Sequence, residues 1–251
     1  MKEQARLTGE RWDYSAKGYS DIIQDEFTQV GDAWVRILLD NAPDMGKKAL
    51  DVGTGPGFFA MVLAMEGFDV TGVDCSEKMI LRARENAAAR GLRIDFRVMD
   101  SHELGFADDT FDYIVLRNAT WLLYDPERAF AEWLRVLRPG GRLMYLDANW
   151  HYRDDPELVR KMDEAYERYE KKNGKAFNTY TGSRELDEAA NALCVFDHIL
   201  RPQWDLEQLP ALGYCGVKLT PRVNERIYPP WQQELYDCMD EFLITADKPK
   251  R

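Results

Sequence analysis

Apolar positions along the 251-residue chain change their period three times. Over residues 1–45 they recur at helical spacing, and the aromatics Trp12, Tyr14, Tyr19, Phe27 and Trp34 share this stretch. Residues 32–41 keep the period most clearly, and Pro43 follows their end. Over residues 47–147 short apolar runs alternate with helical patterns. Residues 49–52, 69–74, 94–99, 111–116 and 142–146 read as strands, the last after a Pro139-Gly140-Gly141 turn. Residues 58–66, 77–90 and 126–137 read as the helices between them, with Gly91 placed to cap the second. Strands and helices in this alternation make βαβ units and a parallel sheet covered on both faces.

Beyond residue 147 the pattern turns helical again. Residues 156–172 form a charged helix with Leu158, Met162, Ala165 and Tyr169 along one side, stopped by Asn173-Gly174. Residues 184–193 and 205–212 continue as helices, the latter stopped by Gly213. Residues 217–223 and 242–245 read as closing strands, with Pro229 and Pro230 between them. The expected fold class is α/β: a Rossmann-like, doubly wound, mostly parallel seven-stranded sheet with its last strand antiparallel. N-terminal helices and a helical lid insertion before the last two strands complete it. One domain spans 1–251, divided into a helical cap (1–45), a cofactor-binding core (47–147), the lid (148–213) and the closing strands (214–251).

Composition narrows the partners. Lys and Arg total 33 against 44 Asp and Glu, a net charge of −11, which opposes binding to a phosphate backbone. Cys75, Cys194, Cys215 and Cys238 show no metal-ligand spacing, so no metal is expected, and reduced thiols fit a cytosolic protein. The charged start of the chain lacks the apolar region of a signal peptide, and no apolar run reaches the ~20 residues that span a bilayer. The expected partner is a small-molecule substrate in the cytoplasm, with no nucleic acid and no membrane, the chain acting as a monomer or homodimer.

Chemistry concentrates in Ala49-Leu-Asp-Val-Gly-Thr-Gly-Pro-Gly-Phe-Phe-Ala60. A strand runs into Gly53, Gly55 and Gly57 and a helix follows, so backbone can approach a ligand closely beside unpaired helix-start N–H groups. A dinucleotide site wants G-x-G-x-x-G, but the third glycine position is Phe58. Asp51 before the loop suits a cationic ligand better than a pyrophosphate. Asp74, 21 residues after Gly53, ends the second strand, where a carboxylate can accept both hydroxyls of a ribose. Asp100, followed by Ser101, ends the third, where it can accept from an adenine amino group. Each acid alone could be a strand-end or turn-capping carboxylate. Three at successive strand ends beside one glycine loop form a pattern.

On these residues the chain resembles the class I S-adenosylmethionine-dependent methyltransferases of the small-molecule type. The glycine loop is similar to that family's first motif, and Val70-Thr-Gly-Val-Asp74 to its ribose-binding strand. Phe111-Asp-Tyr-Ile-Val-Leu-Arg-Asn118 and Arg135-Val-Leu-Arg-Pro-Gly-Gly-Arg-Leu143 resemble its fourth strand and the run into its fifth. The resemblance covers residues 47–147. It implies a cofactor, S-adenosylmethionine, and a product, S-adenosylhomocysteine. Asp51 and the loop Gly53, Thr54, Gly55 and Gly57 would hold the methionine part, and Asp74 the ribose. Cys75 and Met79 would lie on the adenine, with Asp100, Ser101 and His102 at its edge. The Arg117 carbonyl would sit by the cofactor, and Tyr14 and Tyr19 would close over it.

Substrate groups are expected after the fourth strand, from Asn118, Trp121 and Tyr124, and after the fifth, from Asn149, Trp150 and Tyr152. Trp121 and Trp150 are equally consistent with core packing. The transfer is an in-line displacement that positioning alone can accelerate, and a base is needed only where the nucleophile must lose a proton. His151 is the candidate base by position, although a lone histidine is more often structural. His198 lies in the insertion. The Asn-Pro-Pro-aromatic motif of nucleic-acid amino-methyltransferases is replaced by Arg117-Asn118-Ala119-Thr120. The competing readings are a nicotinamide-dependent oxidoreductase, opposed by Phe58 and Asp51, and a non-catalytic S-adenosylmethionine-binding protein.

Overall fold

The computed structural model describes residues 1–150, 155–174, 182–236 and 238–250. It begins with α1 (Glu3–Asp40), which leaves helical geometry only at Val30. β1 (Lys48–Val52), α2 (Phe58–Met65), β2 (Asp69–Asp74), α3 (Glu77–Ala89), β3 (Asp95–Val98), β4 (Phe111–Arg117), α4 (Pro126–Val136) and β5 (Leu137–Asp147) follow in alternation. Then come α5 (Pro156–Asn173), α6 (Arg184–Asn191), α7 (Gln203–Ala211), β6 (Cys215–Thr220), α8 (Asn224–Ile227), α9 (Pro230–Leu235) and β7 (Phe242–Asp247). The strands join in the order β3-β2-β1-β4-β5-β7-β6. β1 to β5 run parallel and β7 runs antiparallel between β5 and β6. This is the Rossmann-like sheet with a reversed last strand that the alternation of elements predicts.

Period-two alternation divides the core between the two faces of the sheet. Ala49, Tyr113, Val115, Met144 and Leu146 pack with α1, α2 and α3 on one side. Leu50, Val52, Ile114, Leu116, Leu143 and Tyr145 pack with α4 and α7 on the other. Burial on both faces is what makes the parallel strands read as unbroken apolar runs. α1 lies so close to the turn after β2 that a Cβ on Gly9 would stand 2.4 Å from the Cys75 carbonyl oxygen, so only glycine fits there.

Three details depart from the sequence pattern. The fifth strand does not wait for the Pro139-Gly140-Gly141 turn. Leu137 already pairs with Phe111, the run bulges out, and pairing resumes at Arg142 opposite Tyr113. The Gly140 N–H meets the Lys248 carbonyl instead of a β4 partner. The closing strands are displaced, at Cys215–Thr220 and Phe242–Asp247. Between them stand α8 and α9, of 4 and 6 residues, too short to establish a helical period. No described helix is long and apolar enough to cross a membrane.

Candidate active site

The carboxyl ends of β1, β2 and β4 open onto one cleft, where β1 neighbours strands whose connections leave in opposite directions. Gly53, Gly55, Asp74, Cys75, Met79, Asp100, Ser101, His102, Arg117 and Asn118 line it, and Ala5, Thr8, Trp12 and Tyr19 of α1 form the facing wall. A smaller recess shares Tyr19, Gly53, Gly55 and Arg117 with the cleft and adds Asp51 and Thr54.

The glycine loop is built by the strand acids. At Gly53 φ is +63° and a Cβ would stand 2.7 Å from that of Ala119, so neither the turn nor the approach of the loop after β4 admits a side chain. Asp51 is buried; it accepts from the Thr54 hydroxyl at 2.6 Å and from the Ala60 N–H at 3.0 Å, which ties the loop to the start of α2. Burial pushes its carboxyl up to about 7, against the pull of those two bonds. Gly57 faces Ala83 and Phe96, so it serves the packing of α3 and β3 against the loop.

Asp74 accepts the Gly55 N–H at 2.9 Å and the Ser76 N–H at 2.8 Å, one on each oxygen. Burial lifts its carboxyl to about 6, although both backbone bonds lower it. Each oxygen keeps a lone pair for a further donor. Ser76 caps α3 through the Met79 N–H and donates to Asp13 of α1 at 2.6 Å. Burial also pushes the Cys75 thiol well up, so it enters the cleft as a neutral group.

Asp100 is held from several sides. Its Oδ1 accepts the His102 N–H at 2.9 Å and faces Nδ1 at 2.8 Å, and its Oδ2 accepts the Tyr124 hydroxyl at 2.8 Å. Burial would raise this carboxyl, but the bonds from His102 and Tyr124 overcome it and hold it at about 2. His102 and Tyr124 stack with centroids 3.7 Å apart.

The groups expected near the substrate are spread out. Asn118 lines the cleft at φ +52°, with its Oδ1 buried and without a hydrogen-bond partner among the described residues. Trp121 is buried, and its Nε1 donates to the Asn118 carbonyl at 3.0 Å. Asn149 bonds reciprocally with the Arg201 backbone, at 2.9 and 3.0 Å, so both ends of its amide are spent on holding two chain segments together. Trp150 packs edge-on against Tyr236 at 5.4 Å. Tyr14 is half exposed, with the Lys78 ammonium 5.5 Å from its ring, and it does not line the cleft. His151 and Tyr152 lie outside the described residues.

Two buried polar clusters were not anticipated. Arg201 donates to Thr120 at 2.6 Å and to Asp205 at 2.9 Å, and stands 3.5 Å from Asp147. Asp147 in turn accepts from the Thr120 hydroxyl and from the Trp121 N–H, which pins the loop after β4 to β5. The second cluster joins Arg117, Glu26, Tyr228 and Glu241. Arg117 Nη2 contacts both Glu26 oxygens, at 2.6 and 2.9 Å, and the Tyr228 hydroxyl at 3.1 Å. Of these, only Arg117 stands in a readable motif. Glu241 precedes an antiparallel strand, whose start must lie at the cleft end of the sheet. That topological fact was the available signal.

Residues 50–145 match the methyltransferase domain family model. A phosphatidylethanolamine N-methyltransferase of Cereibacter sphaeroides is 34% identical over 151 residues, 59% of this chain and 72% of that one. The chain belongs to the class I S-adenosylmethionine-dependent methyltransferases. Its cofactor is S-adenosylmethionine, and its reaction is methyl transfer to a small molecule. A demethylmenaquinone methyltransferase of Thermus thermophilus is 38% identical over 115 residues, 45% of this methyltransferase and 51% of that one. The matched part thus spans about half the length of that relative. Among solved structures, the [4+2]-cyclase SpnF superposes with a TM-score of 0.67 at 21% identity, covering 98% of this chain and 97% of that one. That likeness speaks for the fold. The cleft suits the methyltransferase cofactor: a loop whose Gly53 admits no Cβ, a carboxylate with free lone pairs at the end of β2, and apolar walls from Met79 and Leu123.

Proposed function

We propose that this methyltransferase binds S-adenosylmethionine in the cleft between α1 and the ends of β1, β2 and β4, and methylates a small molecule presented beside Asn118. Asp74 takes the ribose hydroxyls. Cys75 and Met79 face the adenine, and Asp100, Ser101 and His102 read its edge. The backbone of Gly53, Thr54 and Gly55, with the Arg117 carbonyl, borders the methionine part, and Tyr19 covers it. Asp51 acts on that part through the loop it braces. When bound, the group supplies a methyl on a cationic sulfur. The chain's own contribution is to fix the acceptor in line with that methyl and to keep water away.

The observation that carries this reading is Asp74, a half-buried carboxylate aimed by two N–H groups into a cleft walled by glycine backbone. The relatives are named for transfer to nitrogen, to carbon and to oxygen, so their names leave the acceptor atom open. Calorimetry with S-adenosylmethionine and S-adenosylhomocysteine, with NADH as control, tests the reading. Both sulfur compounds should bind and NADH should not. Asp74→Ala should weaken both about 10- to 100-fold, the loss of hydrogen bonds to a charged group. Binding of NADH alone, or undiminished binding by Asp74→Ala, would refute it.

A further inference from the structure

Glu241 sits just ahead of β7. Because β7 is antiparallel, with Phe242 opposite Asp147, Glu241 lies at the same end of the sheet as the cleft. It is 1% exposed. Its Oε1 accepts the Tyr228 hydroxyl at 3.2 Å, and its Oε2 has no hydrogen-bond partner among the described residues. Tyr228 accepts from Arg117, which lines the cleft. The Arg117 guanidinium spends Nη2 on Glu26 and Tyr228, while Nε and Nη1 are buried without hydrogen-bond partners among the described residues. One connected cluster therefore holds a spare carboxyl oxygen and spare guanidinium hydrogens. Buried groups of this kind are costly when left unmade, and each calls for a partner such as a water, an ion or a ligand.

We propose that Glu241 is the proton acceptor for methyl transfer, and that Arg117 holds the oxygen of an acceptor that attacks through a hydroxyl. The inference rests on the methyl-transfer reading above. In the step, a lone pair of the acceptor oxygen forms the bond to the methyl carbon. The carbon–sulfur bond breaks with its electron pair going to sulfur, and the hydroxyl proton passes to Glu241 Oε2. Arg117 offers only donors, which favours an oxygen over an ammonium acceptor.

The charge balance supports the assignment. Glu26 neutralises Arg117, leaving Glu241 as the surplus group. Arg117 faces it from β4, Glu26 and Tyr19 from α1, Asp147 from β5, Tyr228 from beside α8 and Tyr236 from beside α9. Burial outweighs the pull of Arg117 and lifts its carboxyl to about 8. Opposite a sulfonium Glu241 ionises; opposite a neutral thioether it holds its proton. The local charge is then the same before and after transfer, which spares a buried site the cost of a net change.

Calorimetry in two buffers of different ionisation enthalpy tests this without any acceptor. At about pH 7.5, S-adenosylmethionine binding should release about 0.5–1 proton more than S-adenosylhomocysteine binding. Glu241→Gln should keep S-adenosylhomocysteine affinity within about threefold and lose most of that difference. A difference of unchanged size in Glu241→Gln, or none in the unmodified protein, overturns the proposal. Failure of the unmodified protein to bind either compound overturns the methyl-transfer reading instead. Should Glu241→Gln not fold, infrared difference spectra of the unmodified protein with carbon-13-labelled glutamate carboxyls decide. A protonated glutamate band present with S-adenosylhomocysteine and lost with S-adenosylmethionine supports the proposal, and its absence from both refutes it.

Discussion

Lowering the pH from about 8 to about 6 should stabilise the ligand-free protein, contrary to the usual expectation for a chain rich in carboxylates. Glu241, Asp51 and Asp74 have carboxyls lifted by burial to about 8, 7 and 6. In the unfolded chain all three titrate near 4. A group whose folded value is raised binds its proton in the folded state first. Its ionised form therefore weakens the fold above the folded value, and that penalty is relieved as the pH falls through it. Counting these three acids, the folded state holds about one extra proton at about pH 7.5, mostly on Glu241, and about two at about pH 6.5, as Asp51 joins; Asp147, whose buried carboxyl is also pushed up, adds in the same sense. Stability should thus rise by roughly 1–2 kcal/mol for the first pH unit and roughly twice that for the next. For a chain of this size the first unit is worth about 3–6 °C in midpoint. Asp100, held at about 2, works in the opposite sense, but its contribution is lost only as the pH falls below the unfolded value. Thermal unfolding across this window, in buffers matched for ionic strength, measures the slope. Glu241→Gln should remove most of it between about pH 8 and 7, and Asp51→Asn most of the remainder down to about pH 6.5. A midpoint that rises with pH across the window, or a slope untouched by either substitution, would show that these carboxyls are ionised in the fold and that the argument from burial fails.

Arg201→Leu leaves Asp147 and Asp205 buried without their counter-charge, so it should cost about 3–5 kcal/mol, read as a fall of roughly 10 °C in the thermal midpoint. Tyr124→Phe removes one bond to Asp100 and keeps the stack on His102. It should weaken S-adenosylhomocysteine binding by about 3- to 30-fold in calorimetry, with little change in melting. Gly53→Ala forces a Cβ toward Ala119 at positive φ and should cost about 1–3 kcal/mol of stability in chemical denaturation, together with cofactor affinity.

The residues that line the cleft were legible as a group because their constraints are local. Gly53, Asp74 and Asp100 each stand where a strand ends, and strand ends follow from the apolar runs that precede them. What the pattern could not convey is how the acids are spent. Asp100 was expected at an adenine edge, and its carboxylate is also the hub for His102 and Tyr124, residues 2 and 24 positions away. The acceptor half was far less legible. Asn149 is a side chain of the right type in the right loop, yet it holds Arg201, which is 52 residues distant. Contacts of that separation depend on the packing of α5 to α7, and no periodicity in the chain reports it.

The same contrast separates two uses of a buried acid. Asp147 is ringed by Thr120, Arg201 and two N–H groups, so although burial pushes its carboxyl up, its polar capacity is consumed in holding loops to the sheet. Among the described residues Glu241 has a single hydroxyl partner and a bare oxygen, at the same end of the sheet. A structural role would favour saturating Glu241 as fully as Asp147, because each unmade bond costs about 1–3 kcal/mol. Glu241 is left unsaturated in one cluster with Arg117, whose Nη2 is spent on Glu26 and Tyr228 and whose Nε and Nη1 have no partner among the described residues. One ligand carrying a hydroxyl would remedy both at once, donating to the carboxylate and accepting from the guanidinium. That is the arrangement the proposal assigns to a hydroxyl acceptor, and it would account for two buried deficits with a single bound group.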